Sequence, residues 1–152
     1  MLPEGHSWKE LSTQRLGRYA EYYVKMAFTL RGLDVYTPEV DDRGLDFVVR
    51  AGPSRFYEFQ VKSARGLNSY IFMRKAFFAP SPDLFLAVAL FSEGAEPDLY
   101  LIPSTVWLEP MPPFVSRDYE NLKSAPEYGL NLSKAAQVTL EPYRFGAMVA
   151  KL

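Results

Sequence analysis

Cysteine is missing from all 152 residues, which removes disulfides and thiolate metal sites and favours a reducing compartment, the cytoplasm. Histidine is nearly missing as well. The single copy, His6, stands close to the N-terminus, so neither a Ser-His-Asp arrangement nor a histidine metal cluster can be built. No Gly-x-x-x-x-Gly-Lys phosphate loop and no Rossmann glycine pattern occurs. Long apolar runs are lacking: the longest, Leu84 to Phe91, falls far short of the roughly 18 residues that span a bilayer. The opening residues, Met1 to His6, have neither the basic nor the apolar region of a signal peptide. The expectation is a soluble intracellular protein with no membrane partner. Repeats and low-complexity tracts are also absent.

An excess of charge of either sign is missing too. The net charge of −1 argues against a general polyanion binder. The charge is nevertheless unevenly spread. Residues 1–80 hold 12 Lys and Arg against 9 Asp and Glu, whereas residues 81–152 hold 5 against 9. An apolar content of 48% supports a packed core, and the length suits one domain that buries roughly two-thirds of its unfolded surface. The expected division is a core over about 8–103, with 104–152 covering it or forming a dimer surface.

Two segments carry the chemistry. Gly44-Leu45-Asp46-Phe47-Val48-Val49 and Phe56-Tyr57-Glu58-Phe59-Gln60-Val61-Lys62 read as β-strands joined by a turn at Ala51-Gly52-Pro53-Ser54. Alternation puts Glu58, Gln60 and Lys62 on one face. A hairpin centred near Pro53 sets Asp46 directly across from Gln60, about 5 Å away, close enough to share a metal ion. The same pattern also describes an ordinary half-exposed strand with solvated Glu58 and Lys62. From about Trp8 to Leu30 there is no proline, and Leu16, Ala20, Val24, Ala27 and Phe28 recur at helical steps. Glu21 lies beside that apolar stripe and needs a partner if it turns inward. A cation at the Asp46 and Gln60 patch is one such partner; Arg18 or Lys25 at helical spacing is the other.

The order Gly17-x-x-Ala20-Glu21, then Gly44-Leu45-Asp46, then Gln60-Val61-Lys62-Ser63 resembles the PD-(D/E)XK nuclease superfamily. That group includes restriction endonucleases, Holliday-junction resolvases and small homing endonucleases. The resemblance covers about residues 15–103, with weaker support from Tyr100-Leu101-Ile102-Pro103, and is nearest to small branches with a Gln-x-Lys variant. It implies an α/β fold: a restriction-endonuclease-like core of mixed β-sheet flanked by helices, with an N-terminal helix carrying a site glutamate. It also implies a divalent-metal-dependent endonuclease acting on DNA. Glu21, Asp46 and Gln60 would hold one Mg²⁺ or Mn²⁺, and Lys62 would stabilise transition-state charge first and act as a base second. Two departures stand out. Gln60 replaces an acid and adds no negative charge, a deficit that Glu58 on the same face can make good, and Leu45 replaces the proline that often precedes the aspartate. The alternative is a catalytically decayed module of the same fold that binds nucleic acid or a protein partner. A β-rich domain for a small ligand is a third reading.

Arg15, Arg18, Lys25, Arg65, Arg74 and Lys75 are the candidate phosphate contacts, each with ordinary solvated charge as the competing reading. Ser69 to Met73 reads as a strand on which Tyr70 can stack a base or enter the core. Leu84 to Phe91 reads as a central strand and Asp98 to Ile102 as its hairpin partner. Residues 109–118, with three prolines, read as a surface loop, and 119–145 as a late strand or helix, or a dimer surface. Asp41 and Asp42 are either further metal ligands or simply a turn. A monomer would nick one strand, whereas a two-fold homodimer would cut both.

Overall fold

The computed structural model describes residue 5 and residues 7–152; the expectation for His6 lies outside them. The first element is helix α1, Thr13–Leu30. The Ser12 side chain accepts a hydrogen bond from the Arg15 N–H at 3.2 Å and caps it. The expected start at Trp8 is therefore too early, because the cap sits at Ser12. Trp8 instead docks separately, donating its indole N–H to the carbonyls of Ser92 and Ala95. The helix ends where Gly32 adopts φ +80. The N–H of Leu33 reaches back to Phe28 O at 3.2 Å and that of Gly32 to Thr29 O at 2.9 Å, a Schellman closure that calls for glycine.

Five strands form the main sheet: β1 (Asp34–Tyr36), β2 (Phe47–Gly52), β3 (Arg55–Arg65), β5 (Leu84–Phe91) and β6 (Asp98–Pro103). They lie in the order β1-β2-β3-β5-β6, all neighbours antiparallel except β3 and β5, which run parallel. The short β1 was not foreseen. A smaller antiparallel sheet holds β4 (Ser69–Arg74), β8 (Glu127–Leu132) and β7 (Phe114–Arg117), in that order. Reading 109–118 as a loop is thus corrected: Phe114–Arg117 pairs with β8 because Phe114 is drawn into the core. Residues beyond β8 add two short helices, α2 (Ala136–Leu140) and α3 (Phe145–Val149). The expected α/β architecture, a mixed sheet flanked by helices, is the one adopted.

Alternation along the central strands divides the interior into two cores. Phe59, Val61, Phe85, Ala87 and Phe91 face α1 and α3, packing on Leu16, Ala20, Val24 and Phe28. Leu86, Val88 and Leu90 face the small sheet, meeting Ile71, Met73, Leu130 and Trp107. All eight residues of β5 are buried, as a strand covered on both faces requires. The chain is therefore layered: helices, large sheet, small sheet. Among the described residues no helix is long and apolar enough to cross a membrane.

Phe28 is the keystone of the helical layer, with rings of Phe47, Phe59 and Phe145 at 6.0, 4.8 and 5.0 Å between centroids. Phe28→Ala is expected to lower unfolding free energy by about 3–5 kcal/mol, measured by denaturant titration; a loss below about 1 kcal/mol would contradict this packing.

Candidate functional site

The β2–β3 ladder fixes the centre of the site. Pairing runs Phe47↔Phe59, Val48↔Glu58, Val49↔Tyr57 and Arg50↔Phe56. The same register, continued one residue, sets Asp46 across from Gln60. The Asp46 N–H donates to Phe59 O at 3.0 Å, the last backbone link of this pair. The next amide, Val61 N–H, donates instead to Asp46 Oδ2 at 2.7 Å. The carboxylate thus takes the place of a strand backbone and is held in one orientation. Since Phe47 and Phe59 face α1, the intervening Asp46, Gln60 and Lys62 belong to the opposite face.

Burial pushes the Asp46 carboxyl up to about 6 from 3.8. The Val61 N–H opposes that rise, the charges of Glu21 and Asp41 add to it, and Lys62 draws it down. Gln60 is also in an unsettled state: its Oε1 is buried and has no hydrogen-bond partner. An orphaned buried carbonyl is costly, and a carboxylate with too little positive charge around it is costly in the same way. Both deficits lie side by side, and both are relieved by a hard cation bound through oxygen. Among the described residues no group of three or more His, Asp or Glu is placed to hold a metal. The Gln60 amide oxygen and the Asp46 carboxylate are oxygen donors of the kind that suit Mg²⁺ or Mn²⁺, whereas Glu21 is engaged with Arg18 and does not line the cleft.

A cleft of about 370 Å³ opens over this patch. Asp41, Asp42 and Gly44 from the β1–β2 connection, Gln60 and Lys62 from β3, Phe72 and Arg74 from β4, and Phe77 just beyond it line the cleft. Gly44 is required here. Its φ is +77, and a Cβ would stand 3.0 Å from Phe77 Cβ and 3.1 Å from Phe77 O. Only glycine lets the loop press against the 3₁₀ turn Lys75–Phe77.

The remaining expected residues scatter. Glu21 pairs with Arg18 at 3.0 Å, its side chain 24% exposed, yet its charge still reaches Asp46. Glu58 is exposed at the β2–β3 pair and does not line the cleft. Lys25 donates to Thr37 Oγ1 at 2.8 Å. Arg65 donates to the carbonyls of Trp8 and Leu11, tying down the segment before α1. Lys75 is shared between Ser116 and Asp118 and lies 4.6 Å from the Tyr128 ring centroid. Arg15 is exposed near the start of α1. Arg74 alone of these cations borders the cleft. Phe72 and Phe77 went unremarked in the sequence, although alternation along Ser69–Arg74 puts Phe72 on the face of Arg74.

No family model matches this chain, and no curated protein does. Its structure, however, aligns with the solved structure of a bacterial homing endonuclease at a TM-score of 0.56 and 17% sequence identity, over 91% of both chains. The two share a fold. At that identity the likeness concerns the path of the backbone, and the chemistry must be argued from the residues of this chain.

Two outcomes follow from the geometry. The folded-state pKa of Asp46 lies above its ordinary value, so this group favours the folded form most below about pH 4. That contribution is lost as pH rises through about 6. Asp46→Asn keeps an acceptor for Val61 N–H and removes the buried charge. It is expected to raise stability by about 1–2 kcal/mol at pH 8, a few degrees of Tm, and to change little at pH 4. Thermal unfolding at the two pH values checks this; equal shifts at both would contradict it. Gly44→Ala is expected to cost about 1–3 kcal/mol through the left-handed backbone and the Phe77 contact, read by denaturant melts, and an unchanged midpoint would refute the close approach.

Proposed function

We propose that this chain is a divalent-metal-dependent endonuclease of the PD-(D/E)XK type, hydrolysing phosphodiester bonds in DNA. The observation that carries the reading is the buried, unpartnered Gln60 Oε1 across one strand pair from the Asp46 carboxylate, whose pKa burial raises, with Lys62 on the same face. The shared fold with a homing endonuclease supports it. A PD-(D/E)XK assignment rests on the residues alone: Glu21 on a helix, Asp46 at a strand start, and Gln60-Val61-Lys62 on the partner strand.

Glu21, Asp46 and Gln60 would hold the ion, which when bound supplies Lewis acidity towards a phosphate oxygen and lowers the pKa of a coordinated water. The chain's own groups do the rest. The Val61 N–H holds Asp46 in place, so the carboxylate needs no reorganisation when substrate arrives. Lys62 sets a compact ammonium next to the charge that grows on the phosphate. Arg74, at the edge of the same cleft, is free to hold a flanking phosphate. Glu58, one strand repeat from Gln60, is exposed outside the cleft, so the charge that Gln60 lacks is not made good there.

One feature favours the second reading, a nuclease fold that has lost catalysis and retained binding. Gln60 brings no charge, and the described residues contain no three-acid cluster. Supercoiled plasmid incubated with Mg²⁺ or Mn²⁺ separates the two. Nicking that requires metal, and that drops about a hundredfold or more in Asp46→Asn and Lys62→Ala, supports the nuclease. Activity at the wild-type rate in both folded variants would exclude this site. Mn²⁺ is also expected to raise Tm in the wild type and not in Asp46→Asn; no shift in either, with no nicking, would favour the module that only binds.

A further inference from the structure

The cleft is lined by unlike groups. Asp41 and Asp42 contribute carboxylates, Lys62 and Arg74 contribute cations, and two exposed aromatic rings border it, Phe72 at 48% and Phe77 at 49% exposure. What sets these two rings apart from other exposed apolar residues is their place: both border the cleft that Gln60, Lys62 and Arg74 line. From these observations we propose that the cleft receives an unpaired nucleotide of a DNA strand, its base stacked on Phe72 and Phe77 and its phosphate on Lys62 and Arg74. The claim rests on the nuclease reading above for the position of the reacting phosphate, and it specifies the substrate as a strand with single-stranded or unpaired residues.

The small sheet is built to present Phe72. Tyr70, Phe72 and Arg74 alternate with the buried Ile71 and Met73, so they share the face away from the core. On β8, Gly129 pairs with Phe72, and a Cβ there would come within 2.1 Å of Tyr70 Oη and 2.5 Å of two ring atoms. The absent side chain lets the Tyr70 ring lie across the strand. The hydroxyl of Tyr70 donates to Glu127, and the Arg117 guanidinium lies 4.8 Å from its ring centroid. Tyr70 is thus held on several sides, and its ring runs near-parallel to Phe72, 19° apart with centroids 6.3 Å apart. It supports Phe72, which keeps its exposed side towards the cleft. Gly44, by lacking a side chain, lets the β1–β2 connection pack closely against Phe77 and the Gln60 side chain.

Chemistry selects the occupant. Paired bases show their edges in the grooves, and an aromatic side chain stacks on a base face only when that base is unpaired or displaced. Phenylalanine also wedges into duplex steps, a mode of proteins that present Arg and Lys to the minor groove. Here the cleft sets two cations, Lys62 and Arg74, beside two carboxylates, Asp41 and Asp42, and the chain as a whole stands at −1. Stacking, which tolerates any base, provides the affinity that charge does not.

The test uses the full chain with Ca²⁺ in place of Mg²⁺, to hold complexes without turnover. Strands carrying 2-aminopurine are compared as single strand, as fork with an unpaired arm, and as blunt duplex of the same sequence. The single strand and the fork are expected to bind at least about tenfold more tightly than the duplex and to quench the 2-aminopurine. Phe72→Ala, and Phe72→Leu, which keeps an apolar contact without a ring, are expected to lose about tenfold in affinity together with the quenching. Phe72→Trp is expected to restore both. Equal affinity for the blunt duplex, or unchanged binding and quenching in folded Phe72→Leu, overturns the proposal. Metal-dependent cleavage of blunt duplex at the wild-type rate by Phe72→Ala would overturn it and leave the nuclease reading standing. Ring-dependent binding to the fork with no cleavage in Mg²⁺ or Mn²⁺ would uphold the stacking site and sink the hydrolysis.

Discussion

The hydrogen bond from Val61 N–H to Asp46 Oδ2 is the contact on which the rest of the site depends. It lies where β2 stops pairing with β3. One residue earlier the strands are still joined backbone to backbone, through Asp46 N–H and Phe59 O. One residue later β3 has no strand partner on that side, and an unpaired amide at this depth would be expensive. The carboxylate fills the gap. In doing so it becomes buried, its charge poorly compensated, and fixed in direction. A structural need of the sheet edge and a chemical need of the site are met by the same oxygen atom.

The long strand β3 makes this possible because it serves both cores. Tyr57, Phe59 and Val61 pack towards α1, while Gln60 and Lys62 turn to the side of the small sheet. The cleft lies at Gln60 and Lys62, bordered by the β1–β2 connection and by β4 of the small sheet. Sites that hold unsatisfied oxygen atoms and exposed rings weaken the fold locally. The large apolar interior around Phe28, Phe59 and Phe85 supplies the rigidity that offsets this. Gly44 and Gly129 act in the same manner, each by lacking a side chain that would push a neighbouring aromatic residue, Phe77 or Tyr70, away.

Cations illustrate how position decides role. Arg65, Lys75 and Lys25 look alike in composition to Arg74, yet each is engaged with a carbonyl, a hydroxyl or a carboxylate elsewhere in the fold. Arg18 spends its charge on Glu21. Arg74 and Lys62 remain to line the cleft, together with Asp41 and Asp42. A near-neutral protein can in this way still offer a polarised site, because what matters for a phosphate is the local arrangement and not the total.

Local rules were enough for the strands, the helix face and the Asp46–Gln60 register, since alternation, a 3.6-residue period and a short turn are properties of neighbours along the chain. The start of α1 was misjudged because Trp8 and Leu11 are apolar for a different reason, their docking near Phe91. The strand Phe114–Arg117 was hidden among prolines, since its partner β8 lies a loop away and pairing outweighs local preference. The short β1 was missed for the same cause. For the candidate site, residue order alone pointed to Glu21, Asp46, Gln60 and Lys62. Of these, Gln60 and Lys62 line the cleft, while Glu21 is engaged with Arg18. Residue order could not tell which cations were already occupied or that Phe72 and Phe77 border the cleft. Those facts arise from contacts between residues far apart in sequence, and only the closing of one sheet upon another decides them.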